Sequence, residues 1–148
     1  MGKRRKAREC ALQILFQLEF NTADSEGLID GYWAHQKASE EIREYGTWLV
    51  RGLRASQEDI DGIIQAASEH WRIARMAVVD RNILRIAVYE MIHEKTLVPA
   101  IIINEAIEIA KKYSGEQAAV FINGILDAVR KKLGQKGSHG NEKRGPGA

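Results

Sequence analysis

Between Val78 and His93 the chain carries Ile83, Leu84, Ile86, Ala87, Val88 and Met91 in nearly unbroken succession. A helix this apolar all round cannot lie on a surface and must be wrapped by other elements. The segment is therefore expected to be the central, most buried helix. What wraps it decides the fold class.

The remainder also reads as helix. Residues 4–20 place Ala7, Cys10, Ala11, Ile14, Leu15 and Leu18 three and four apart, giving one apolar face. Arg4, Arg5 and Arg8 have the same spacing on another face. Asn21 to Gly27 reads as a loop, and Leu28 to Lys37 as a second helix. Ser39 followed by Glu40 and Glu41 is an N-cap, opening a helix with Ile42, Tyr45, Leu49 and Leu53. Ser56, with Asp59 three residues on, resembles a capping box and opens a helix through Ile60, Ile63, Ile64, Ala67 and Trp71. After Pro99, Ile101–Lys112 reads as helix, because the NEAIEIAKK pattern outweighs the β-branched Ile101–Ile103 run. Ser114-Gly115 stops it, and Gln117–Leu133 makes the last helix. No alternating strand pattern flanked by hairpin turns occurs, so the fold class is all-α. Residues 134–148 hold five glycines, Pro146 and no large apolar residue, the composition of a disordered basic tail.

Charge is segregated along the chain. Lys3, Arg4, Arg5, Lys6 and Arg8 crowd the first eight residues, and Arg130, Lys131, Lys132, Lys136, Lys143 and Arg144 the last nineteen. The net charge is only +2, so the middle is acidic. Cations at a helix start oppose the macrodipole, at roughly 0.3–1 kcal/mol each. Compensation from outside the fold, by a polyanion, is the expectation, with the acidic body left for a basic partner.

Several function classes are excluded or disfavoured. Cys10 is the single cysteine, so no intrachain disulfide forms. His35, His70, His93 and His139 lack zinc-ligand spacing. No run reaches the roughly 18–20 apolar residues of a membrane span, and Glu9 and Gln13 interrupt any secretory signal. A cytoplasmic protein without metal or cofactor is expected. Glu105 and Glu108 form an acid pair with no nucleophile nearby; Asn104-Glu105 reads instead as helix opening and dipole compensation. Gly124 inside a helical pattern points to close helix packing, or else to close approach of a ligand. Trp33, Trp48 and Trp71 read as packing anchors, and Cys10 as a small core residue.

Four segments resemble the NusB family of transcription antitermination factors: RRKARECALQILFQLEF (4–20), DRNILRIAVYEM (80–91), INEAIEIAKKY (103–113) and FINGILD (121–127). The resemblance spans residues 4–133. It implies about seven helices in two packed subdomains, near 4–55 and 57–133, and no catalysis. It also implies binding of boxA, a single-stranded RNA element of ribosomal RNA operons, together with a small-subunit ribosomal protein acting as NusE, within the complex that carries RNA polymerase through terminators. The family includes monomers and homodimers.

Carried onto this chain, the resemblance makes Lys3, Arg4, Arg5, Lys6 and Arg8 the RNA-binding arginine-rich motif. Guanidinium groups suit phosphates and stack on unpaired bases. Lys111 and Lys112 just before the last helix, and Gln117, Phe121 and Asn123 within it, join them, although the apolar Ala118–Val120 departs from more polar relatives. Two readings fit Phe121: core, at helical spacing with Ile125, or a platform for a base. Two also fit Arg85, Tyr89, Glu90 and Glu94: a face for the ribosomal partner, or an internal salt bridge with a tyrosine at the core edge. Two rival functions are a protein-only interaction module and the front domain of an RNA cytosine methyltransferase. The second needs a separate nucleotide-binding domain and a catalytic cysteine, for which this chain has no room.

Overall fold

The computed structural model describes residues 2–21 and 24–144, with side chains as far as Gly134. Seven helices follow in order: α1 Gly2–Phe20, α2 Ser25–Ala34, α3 Glu40–Ala55, α4 Gln57–Ala67, α5 Val78–His93, α6 Pro99–Tyr113 and α7 Glu116–Arg144, with a 3₁₀ turn at Ile73–Arg75 between α4 and α5. Among the described residues there is no strand. No helix among the described residues is long and apolar enough to cross a membrane.

The apolar segment that anchors the sequence reading is the hub. α5 packs against α1, α3, α4, α6 and α7, and Asn82 to Glu90 are all buried. One apolar cluster runs through all seven helices, from Cys10 to Val129. Each fully buried side chain in it contributes roughly 1.5–3 kcal/mol.

Local signals set most boundaries. The Ser39 hydroxyl accepts from the Ile42 amide and caps α3. Ser56 does not cap; its Oγ donates to the Gly52 carbonyl instead. α2 begins at Ser25, three residues before the expected start, capped by Asp24, whose carboxylate accepts from Gly27 N. Pro99 does not merely interrupt the chain: it occupies the first turn of α6, where no N–H is needed. Asn104 and Glu105 therefore lie mid-helix and do not open it. Gly115, at φ +113°, ends α6 in a conformation that costs other residues a Cβ clash. α7 continues past Leu133 into part of the stretch read as a disordered tail, since extending a formed helix needs no new nucleus; residues 145–148 lie outside the described residues.

Among the described residues, the glycines that face aromatic rings are Gly46 and Gly52, not Gly124, around which a Cβ would meet nothing within 4 Å. A Cβ at Gly46 would lie 2.9 Å from the Trp33 ring, and one at Gly52 would collide with the Tyr89 hydroxyl. Of the tryptophans only Trp33 is a buried anchor; Trp48 and Trp71 are 38% and 57% exposed.

Carboxylates tie the helices together and give the fold a pH signature. Hydrogen bonds from Arg5, against the opposing effect of burial, hold the Glu105 carboxyl below its ordinary value of 4.5. Burial would raise Glu19, but Arg81 and Arg85 outweigh it and lower it. Thr96 and Arg4 lower Glu94. A carboxyl with a depressed folded pKa stabilises fully above its unfolded value and loses that contribution as pH falls through the folded one. Urea midpoints should therefore stay flat from pH 7 to 5 and decline below about 4.5; a decline already complete at pH 5 would contradict these pairings.

Candidate nucleic-acid interface

The cations at the start of α1 are compensated largely from inside the fold, contrary to the expectation of an external polyanion alone. Lys3 pairs with Glu41 of α3 at 3.1 Å. Arg4 pairs with Glu94 at 2.9 Å and lies 3.9 Å over the Tyr45 ring. Arg5 grips Glu105 with two parallel bonds, Nε–Oε1 3.0 Å and Nη2–Oε2 2.6 Å. Arg8 is 2% exposed. Its Nε donates to both Glu90 oxygens, at 2.8 and 3.0 Å, and its Nη1 to Glu105 at 3.2 Å. The Tyr45 hydroxyl completes this cluster by donating to Glu90. Burial and the Glu90 carboxylate push that phenol up, so it stays a donor. Arg8 thus sits too deep for an RNA contact and locks α1 to α5 and α6.

What remains outward is a groove of about 360 Å³ lined by Gly2, Arg5, Lys6, Glu9 and Lys112. α1 and α6 both pack on α5 and run parallel there, bridged by long charged side chains, and this makes it. Glu105 meets Arg5 and Arg8, and one helical stretch later Lys112 Nζ and the Tyr113 hydroxyl donate to Glu9 at 2.9 and 3.0 Å. Lys111 and Lys112 occupy the last turn of α6, where cations complement the dipole. Lys6 is exposed, with no carboxylate in ion-pair reach among the described side chains. Chemically the groove offers three cations, one of them the half-exposed guanidinium of Arg5, and one carboxylate, which suits phosphate groups better than bases.

On α7, Gln117 and Phe121 share a face at i, i+4, while Asn123 lies on the opposite side of the helix. Gln117 and Asn123 are exposed and Phe121 is half-buried. Phe121 packs on the apolar cluster and meets Trp71 edge-on, centroids 6.2 Å apart. It is neither a fully buried core residue nor a free ring. Lys111 is exposed and pairs loosely with Glu108 at 3.8 Å.

Comparison with known proteins resolves what this scaffold is. The NusB family model matches residues 5–131. The antitermination protein NusB of Bdellovibrio bacteriovorus is 47% identical over 130 residues, covering 86% of this chain and 95% of that protein. The chain belongs to the NusB family. The solved structure of T. maritima NusB superposes with a TM-score of 0.79 at 37% identity, covering 86% of this chain and 90% of that one. A structure of the antitermination factors NusB and NusE in complex with dsRNA matches with a TM-score of 0.79 at 30% identity, covering 89% and 98%.

The charged residues of α5 in this NusB-family chain serve the interior, and the partner-face expectation is corrected for them. Arg85 is 6% exposed. It makes a two-pronged contact with Asp61, at 2.7 and 2.9 Å, and further bonds to Glu19 and Asn82. Glu90 is 1% exposed and belongs to the Arg8 cluster. Tyr89 is buried against Gly52, with Trp48 and His93 beside its ring. Glu94 is half-buried beneath Arg4 and Thr96. The reason is position: a helix packed on every side has no outward face for charges, so each needs an internal partner. Sequence reading missed the exposed aromatics of α1, Phe16 at 41% and Phe20 at 71% exposure, stacked edge-on at 5.2 Å. The signal was available, since both fall off the apolar stripe of that helix.

Proposed function

We propose that this chain is a non-enzymatic antitermination adaptor that binds boxA-type single-stranded RNA jointly with a NusE-type ribosomal protein, and through that complex keeps RNA polymerase elongating. The observation that carries it is the cationic groove between α1 and α6. Arg5, Lys6 and Lys112 would hold phosphates, and the Gln117–Phe121 face would meet bases. Lys3, Arg4 and Lys111 stand at the margins, and Arg8 supports the site from within. A structural neighbour is NusB with NusE on RNA, which supports the RNA and partner classes; that RNA is double-stranded, so a duplex belongs among the probes.

The partner would cover the Phe16–Phe20 ridge rather than the α5 charges. Two exposed rings on one helix form an apolar patch of the kind that marks protein contacts. Anisotropy of labelled boxA-type RNA, scrambled RNA and a duplex, with and without the NusE partner, tests the whole reading. Preference for boxA that the partner strengthens is expected. Phe16→Ala/Phe20→Ala should weaken partner binding about 10- to 100-fold and leave partner-free RNA binding intact. Partner binding without any RNA affinity would move the assignment to a protein-only module.

A further inference from the structure

We propose that Trp71 is a base-stacking residue of this interface, held ready on a stapled loop beside Phe121; this deepens, and rests on, the RNA reading above.

Trp71 is 57% exposed, the most open of the three tryptophans. An indole left in water is normally free to move with its loop, yet this loop is fixed from within. Gln65 Nε2 donates to the carbonyls of Ser68, at 3.1 Å, and Trp71, at 2.8 Å. Gln65 Oε1 accepts from Ile73 N at 2.9 Å, and Ser68 Oγ donates to the Trp71 carbonyl at 3.1 Å. At the far end Arg81 Nη1 donates to the carbonyls of Ala74 and Met76. The half-buried Phe121 ring stands perpendicular to the indole, at 85°, and props it from beneath. Val120, 73% exposed on the same turn of α7 as Phe121, is a further open apolar residue there.

A preformed aromatic surface spares a ligand the entropy of ordering it. Its surroundings choose the ligand. Arg72 and Arg75 are exposed on the same short loop, against one exposed acid there, Glu69, so the loop that carries the indole is net cationic. A flat π-surface on a cationic loop fits an unpaired base with its phosphates, and it disfavours a basic protein partner.

The test is anisotropy with fluorescein-labelled boxA-type single-stranded RNA, using the full chain with and without the NusE partner. Trp71→Ala should weaken RNA binding about 5- to 150-fold, while Trp71→Phe retains most of the affinity. The slope of log Kd against log salt should not change, because stacking releases no counterions. An RNA carrying an abasic nucleotide at the stacked position should bind wild-type and Trp71→Ala protein equally. Unchanged affinity of Trp71→Ala, or a loss confined to binding of the partner protein, overturns the inference. If the groove cations matter and Trp71 does not, this inference alone falls; if the wild-type chain shows no affinity for the RNA, the functional reading falls with it.

Discussion

Arg8→Ala should lower the free energy of unfolding by about 3–5 kcal/mol, the range seen when one partner of a buried ion pair is removed. The magnitude follows from what stays behind. Glu90 and Glu105 are 1% and 3% exposed. Without Arg8, Glu90 keeps only the Tyr45 hydroxyl, and Glu105 keeps only Arg5. A buried carboxylate that loses its counter-charge costs far more than the pair itself contributes. In a domain of this size the melting temperature should drop by roughly 6–20 °C. Arg8→Lys should recover little, because an ammonium on a flexible stem lacks the planar fork that spans two carboxylates. Adding Glu90→Gln to Arg8→Ala should restore part of the loss by removing the unpaired charge. Urea unfolding decides it: a change under about 1 kcal/mol would mean Arg8 behaves as a surface residue. An alanine at this position is also a poor probe of RNA binding, since the fold itself suffers.

The sequence carries the helices well and the direction of their charges poorly. α5 coincides with its expected span because composition alone demands burial on every side, and Ser39 caps α3 because capping is decided within four residues. Arg4, Arg5 and Arg8 do share a side of α1, as their spacing says. What that side faces depends on Glu90, Glu94 and Glu105, more than 80 positions away in the chain, and no local pattern reports those neighbours. A partial clue existed, for Arg8 also lies at i−4 and i−7 from the buried Leu12 and Leu15. The α5 charges follow the same logic in reverse: in a helix with no free face, a charged residue is first an internal partner. The groove escaped for the opposite reason. It exists only because α1 and α6 both pack on α5 and run parallel there, bringing Lys112 beside residues a hundred positions earlier.

Neutralising that groove should flatten the salt dependence of RNA binding, an effect read separately from any loss of stability where Glu9 and Glu105 lose a counter-charge. Arg5→Gln, Lys6→Gln and Lys112→Gln together remove three cations yet leave amide donors for Glu105 and Glu9. Each phosphate contact on a single strand adds about 0.7 to the slope of log K against log salt, so the triple variant should lose about 2 from it. Between 50 and 200 mM salt the wild-type affinity should therefore fall roughly 15-fold more than that of the variant. The single variants should not be equal. Arg5 and Lys112 already neutralise carboxylates, so RNA must share or displace those pairs. Lys6 has no such competitor among the described residues, and its ammonium meets an incoming phosphate with only water to release. Lys6→Gln should be the most damaging single change. If all three singles match wild type in RNA binding, and the triple keeps the full slope, the phosphates lie elsewhere. The Arg5–Glu105 and Lys112–Glu9 pairs then serve only to tie α1 to α6, and the groove is a by-product of that tie.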